Sequence, residues 1–289
     1  MRWISFLIIV PSIAFAAKTK ESAVKASSKT PVQDTLKESI EKAHNLSIQR
    51  DRFQASRLLV STIKSDEKKY LNNKELMRQL EQISTVFYTD KGQQTYELAF
   101  SLRDTDPAAS LARLQEALRL EPDNVTVLLA LARHYLRQKE CSTAQTNTNR
   151  AQEIDPYSTD VKLAIAQTYV CLDKKEDYFV LRASQDNKIT SSNVYWLILE
   201  AEILYKSKQL EKVKELAGTA AKTDPKFPEA VYWQWQAAGP EDAVKEAQKY
   251  LNLCKSLSER KARNYRQEPF LCKRVVDAEA LIAKPGATE

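Results

Sequence analysis

At 289 residues, 43% hydrophobic and 28% charged with a formal net charge of +6, the chain has the composition of a folded protein with room for a substantial core. Its four glycines are too few for tight-turned sheets or a phosphate-cradling loop. Helix formers dominate throughout, so an all-α protein is expected.

The N-terminus reads as a targeting segment rather than as part of the fold. Arg2 supplies a positive start, residues 4–13 an apolar run, and Ala14, Phe15 and Ala16 a small-x-small cleavage site. The run is too short for a permanent membrane anchor, so residues 1–16 are expected to be a cleaved Sec-type export signal. No cysteine near the site indicates a lipid anchor. The protein is then periplasmic or secreted. Residues 17–33, rich in Lys, Ser and Thr and without apolar periodicity, read as a flexible basic leader.

Helical periodicity takes over at residue 34. Leu36, Ile40 and Ala43 form one stripe; Phe53, Ser56, Leu59 and Ile63 form a second after a polar turn. After a charged break, Leu76, Leu80, Ile83 and Phe87 mark a longer helix, which Gly92 is expected to end. Tyr96, Ala99 and Phe100 open a short helix that stops near Asp106. Residues 34–104 are therefore expected to be degenerate helical repeats.

The most regular stretch is residues 111–169. Pro122 and Pro156 each follow an acidic residue that closes an amphipathic run, and they lie 34 residues apart. Leu128, Leu131, Ala132 and Tyr135 fall on one helix, and Ala144, Thr148, Ala151 and Pro156 on the next. This set resembles the tetratricopeptide repeat family, whose helix-turn-helix unit has that period. Only Leu128 and Thr148, standing at aromatic positions, depart from the pattern. Small residues at Ala132 and Ala144 let two antiparallel helices approach closely, and Pro156 cannot continue a helix.

One unit earlier, Ser110, Leu114, Ala117 and Pro122 keep the second-helix pattern, but the first helix is out of phase, as if a residue were lost near Asp104. One unit later, Ile165, Ala166 and Tyr169 keep the first helix, while Tyr178 and Thr190 replace the small residue and the proline. That unit's second helix should be displaced or shortened. The pattern returns in Leu197, Ala201, Leu204, Val213, Leu216, Ala220 and Pro225. The resemblance thus implies a tetratricopeptide-like superhelical solenoid over 105–238, in an exported bacterial member of the family. Residues 239–289 hold a truncated repeat, a basic loop and a capping helix at about 271–283.

Four cysteines in an exported chain point to disulfides. In a stack of such units Cys141 opens one second helix and Cys171 closes the next first helix, on the same edge, while Cys254 and Cys272 flank the loop before the last helix. Of the three pairings, 141–171 with 254–272 is expected; free thiols or metal ligation are the alternatives, the latter without a Cys-x-x-Cys or Cys/His pair.

Catalytic machinery is not evident. The two histidines, His44 and His134, lie far apart with no nucleophile elbow, metal-ligand spacing or P-loop beside them. No catalytic residue, metal or cofactor is expected, and the enzyme reading is rejected.

In the resembled family the first helices line a concave face that holds ligands. Transferred by the period, the inward columns are Arg133, Gln167, Glu202 and Gln236; Leu129, Leu163, Ile198 and Tyr232; and Thr126, Asp160, Tyr195 and Glu229. The basic and Asn columns that clamp a C-terminal carboxylate in some members are missing. Such a mixed groove suits a segment of another protein. Packing under the N-terminal helices is the alternative for some of these residues. Trp196, Trp233 and Trp235 are read as core or anchors, with one of Trp196 and Trp233 buried and the other at the rim. Lys255, Arg260, Lys261, Arg263, Arg266, Lys273 and Arg274 make a basic loop, either solvated or able to contact an anionic polymer or lipid head group. Two functions follow: a periplasmic adaptor that docks a protein or peptide in its groove, within an envelope assembly such as secretion, pilus or motility machinery, or an envelope-polymer binder using the basic loop. Nucleic acid is not an expected partner.

Overall fold

The structure, a computed structural model, describes residues 36–185 and 194–283, so the export-signal and leader readings lie outside the described residues. Every regular element within them is helical. Helices α1 (Leu36–Ile48) and α2 (Arg52–Ser65) form an antiparallel pair, followed by the one-turn α3 (Glu67–Tyr70) and by α4 (Lys74–Thr85). Five helix pairs then stack in series among the described residues: α5 (Asp90–Leu102) with α6 (Pro107–Leu120), α7 (Val125–Arg137) with α8 (Cys141–Ile154), α9 (Thr159–Cys171) with α10 (Lys175–Ala183), α11 (Val194–Lys206) with α12 (Leu210–Thr223), and α13 (Pro228–Gln236) with α14 (Pro240–Lys255). The short α15 (Glu259–Ala262), a 3-10 turn (Arg263–Tyr265) and α16 (Val275–Ile282) complete an all-α repeat solenoid.

Polar punctuation sets the period. Thr89, Asn124 and Ser158 cap α5, α7 and α9, each accepting the N–H three residues on (Gly92, Val127 and Val161) and so satisfying a donor that a helix start leaves unpaired. The turn inside a unit repeats as well: Lys139, Asp173 and Lys208 are left-handed, with φ of 60, 56 and 58°. A residue in that conformation ends the helix before it and turns the chain into the next. Between these marks the contact faces are small: Ala99, Ala117, Ala132, Ala144, Ala151, Ala201, Ala217 and Ala220 are all fully buried. Each lets two helix backbones approach closely, and burying the large apolar residues beside them contributes about 1.5–3 kcal/mol apiece.

The structure shifts several expected boundaries. Gly92 does not end a helix; it lies in the first turn of α5, and Phe87 falls in the link before it. A Cβ on Gly92 would come within 2.5 Å of the Glu121 Cγ, so the glycine is there because Glu121 leaves no room. The first regular pair begins at Asp90, inside the stretch read as degenerate, and α5 has a full 13 residues. The turn near Asp104 has gained a residue rather than lost one: α5 and α6 are joined by residues 103–106, α7 and α8 by only 138–140. That extra residue throws the first helix out of phase. The closing helix begins at Val275, since residues 271–274 are used in a turn.

The third unit is shortened. Its α10 has 9 residues where α8 and α12 have 14. Tyr178, standing where Ala144 stands one unit before, is fully buried and donates its hydroxyl to the Trp196 carbonyl at 3.0 Å. A ring in place of a methyl leaves no room for the close helix crossing of the other units.

Candidate binding groove

The first helices of the units line one face, and the chain covers part of that face with itself. From α14 the polypeptide turns back and lays residues 263–274 across it. Gln167 on α9 donates Nε2 to the Gln267 carbonyl at 2.7 Å, and the Gln267 amide donates to Asp160. The Tyr195 hydroxyl donates to the Asn264 carbonyl at 3.4 Å, and Tyr265 stacks on Phe227 with ring centroids 5.1 Å apart while its hydroxyl bonds Asp224. At the far ends of this strap, Arg263 pairs with Glu97 on α5, and Lys273 with Asp104 at 2.6 Å. Burial works against the charged form of Asp104, but Lys273, Arg103 and Arg137 outweigh it and hold the carboxyl down to about 2.

Covalent bonds fix the strap and the array. Cys254 and Cys272 lie at disulfide distance (Sγ–Sγ 2.06 Å, Cα–Cα 5.6 Å), which ties the strap's end to α14; Cys141 and Cys171 (1.94 and 5.7 Å) join α8 to α9.

Beneath the strap lie two acids. Glu229 on α13 and Glu268 on the strap are both buried. Burial pushes both carboxyls above the ordinary glutamate range; Glu268 adds to the rise at Glu229, and Glu202 to that at Glu268. The Cys272 N–H (2.8 Å), the Tyr250 hydroxyl (3.4 Å) and Arg274 work in the other direction at Glu229.

The strap divides the groove. Toward the N-terminal end remains an open polar compartment of about 840 Å³ between α4, α5, α7 and the start of α9, walled on the other side by Arg266 and Gln267. Thr126, Leu129, Arg133 and Asp160 line it. Toward the C-terminal end is a smaller compartment of about 360 Å³, where Gln167, Ile198, Glu202, Glu229 and Tyr232 meet Pro269, Phe270 and Arg274 of the strap. Leu163 and Tyr195 line neither compartment: both are core residues. Gln236 also lies apart from both.

The N-terminal helices are welded on by a buried ionic centre. Arg52 of α2 donates to the carbonyls of Ile83 and Val86 at 2.6 and 2.8 Å and to Glu121 at 2.9 Å, the two side chains being 1% and 0% exposed. Glu121 also accepts from the Tyr88 N–H, the Thr89 N–H and the Thr89 hydroxyl. Ser84 of α4 adds a bond to buried Asp155 at 3.0 Å, and Asn124 reaches the Thr85 and Val86 carbonyls. Neither centre was singled out from sequence. The only available signal was an arginine opening an apolar helical stripe, and an acidic residue before a proline reads equally well as a turn.

The fold and groove are those of a repeat scaffold, and residues 101–168 match the family model described as tetratricopeptide repeat. That segment is similar to tetratricopeptide repeats. No curated protein matches the chain. Tetratricopeptide repeats are protein-interaction scaffolds, and the matched segment supplies Thr126, Leu129, Arg133 and Asp160 of the open compartment.

The basic residues of the loop stay at the surface, with Lys255, Arg263 and Lys273 exposed, and several also meet partners within the chain. Within this helical array, Arg263 and Lys273 are spent on holding the strap down, Lys255 pairs with Glu279 at 3.3 Å, and Arg274 lies over Tyr232 and Phe270. Lys261 and Arg266 are exposed, and the side chain of Arg260 lies outside the described residues. Trp196 and Trp233 are both buried, so no simple buried-and-rim division holds, although Trp233 borders the smaller compartment. No described helix is long and apolar enough to cross a membrane, and the two disulfides fit an oxidising compartment.

Proposed function

We propose that the protein is a non-enzymatic adaptor of the periplasm or cell exterior that docks a segment of a partner protein in the open N-terminal compartment of its groove. The reading rests on that compartment: a polar cavity of about 840 Å³ walled by α4 on one side and the folded-back strap on the other. Its size suits a short segment or a single turn rather than a long extended peptide along the whole array. The disulfides and the export-signal pattern support a location outside the cytosol. Service in an envelope assembly belongs to the same reading.

Site-specific photo-cross-linking in the native envelope tests it. A cross-linker at Thr126 should give a discrete protein adduct, and one at Asn149, exposed on α8, should not. Equal adducts from both positions, or none from Thr126, would overturn the proposal.

A further inference from the structure

We propose that the strap is an autoinhibitory segment, which fills the second half of the groove in place of a segment of a partner protein and gives way to it by lifting. The groove holds the strap as it would hold a bound peptide: the Tyr195 hydroxyl bonds the Asn264 carbonyl, and the Gln167 amide bonds the Gln267 carbonyl. Main-chain carbonyls are common to every polypeptide, so these two bonds do not depend on the strap's own sequence. Tyr265, stacked on Phe227, and Phe270, which lines the smaller compartment with Tyr232 and Trp233, add two aromatic anchors. From 266 to 274 the strap contains turns but no helix, so it can rise without breaking a regular element. Its outer side faces solvent through Arg263, Asn264, Arg266 and Lys273.

The fit of this occupant is incomplete. A compartment of about 360 Å³ remains between Pro269 and Phe270 of the strap and the first helices, whereas protein interiors are otherwise close-packed. The Gln167 Oε1 is buried without a donor, although its Nε2 is bonded to the strap. Glu268 of the strap is buried near Glu229 of α13, so seating the strap brings a second acid to a place that already holds one. Each is a cost that a core segment avoids and that a better-fitting guest removes. The strap is also lightly fastened. The Arg263–Glu97 and Lys273–Asp104 pairs are half exposed, a setting in which ion pairs are weak, and the disulfide to Cys254 holds one end. That bond keeps a lifted strap close, so closure is reversible. Arg266 and Gln267 wall the open compartment, and Pro269 and Phe270 the smaller one; lifting therefore joins the two into a single channel. The guest this admits is an extended segment of a partner protein with aromatic side chains for the Tyr265 and Phe270 positions. The inference goes beyond the adaptor reading, which concerns the open compartment alone.

Fluorescence anisotropy decides the matter, with a labelled peptide of the sequence of residues 263–271 titrated with the full chain near pH 7. The wild-type chain should bind it weakly, because the tethered strap competes at high effective concentration. Tyr265→Ala with Gln267→Ala loosens the strap on its seat, both disulfides intact, and should tighten binding at least about tenfold. Cys254→Ser with Cys272→Ser should shift it in the same direction. Adding Gln167→Ala to the Tyr265→Ala, Gln267→Ala chain should weaken binding about fivefold, since the peptide loses the bond to its own Gln267 carbonyl. Equal binding by the wild-type and loosened chains, equal binding of a scrambled peptide, or no effect of Gln167→Ala overturns the proposal. Thermal melts follow folding: collapse of the array in both loosened chains shows the strap to be a structural wedge and overturns it as well. Failure here leaves the Thr126 cross-link unaffected, because that residue lines the open compartment.

Discussion

The two ends of the array are held by buried charge in opposite ways. At the N-terminal end, Arg52 and Glu121 neutralise each other, and Glu121 collects three further donors from Tyr88 and Thr89. At the other end, Glu229 and Glu268 are buried as two like acids with their carboxyls pushed up. The first arrangement pairs opposite charges and acts as a weld; the second buries like charges and is relieved while protons are held. One closure is structural, therefore, and the other is conditional.

Breaking the weld should have the largest effect. Glu121→Ala leaves Arg52 buried without its counter-ion and should cost about 3–5 kcal/mol, seen as a lowered denaturant midpoint for the whole array. Adding Arg52→Met should recover part of the loss, because it removes the stranded charge. A loss under about 1 kcal/mol in the single variant would mean that the weld is no stronger than a surface pair.

Cutting the covalent tie of the conditional end comes next. Replacing Cys254 and Cys272 with serine should lower stability by about 3 kcal/mol, by freeing the enclosed chain in the unfolded state. Amide hydrogen exchange should quicken in residues 263–274 before it does in α7 and α8. Uniform quickening would put both ends in one cooperative unit.

Titration sharpens the contrast. Because the Glu229 and Glu268 carboxyls are raised in the folded protein, the folded state binds more protons than the unfolded one between the ordinary glutamate range and about 8. Their stabilising share is complete below the unfolded value and lost as pH rises through the folded one. The strap should therefore loosen from pH 5 to pH 8.5, read as a falling melting temperature, and Glu268→Gln should flatten the curve. The smallest effect belongs to the rim. Lys273→Ala removes a half-exposed pair with Asp104 and should cost about 0.2–1 kcal/mol, less in high salt.

Sequence reached the array because its signals are local: the prolines at Pro122 and Pro156, the alanines between them, and Tyr178 in a position that needed a small residue. It missed both closures because they join residues far apart in the chain. Arg52 meets Glu121 across 69 positions, and Gln167 meets Gln267 across 100. A period of 34 says which side chains face a groove but carries no information on what else in the chain lies there. For the same reason Tyr195 appears open from its register and is buried in fact. Gly92 reads as a helix end because the atom that demands it, the Glu121 Cγ, lies at the far end of α6, out of reach of any local pattern.

The bond between Cys254 and Cys272 closes the strap into a ring with a sequence separation of 18 residues. A ring can lift off its seat, but it cannot diffuse away. Any rival for the covered half of the groove competes with an occupant whose effective concentration is on the order of millimolar, whatever the abundance of the protein in the cell. Weak guests are thereby excluded from that half at every dilution.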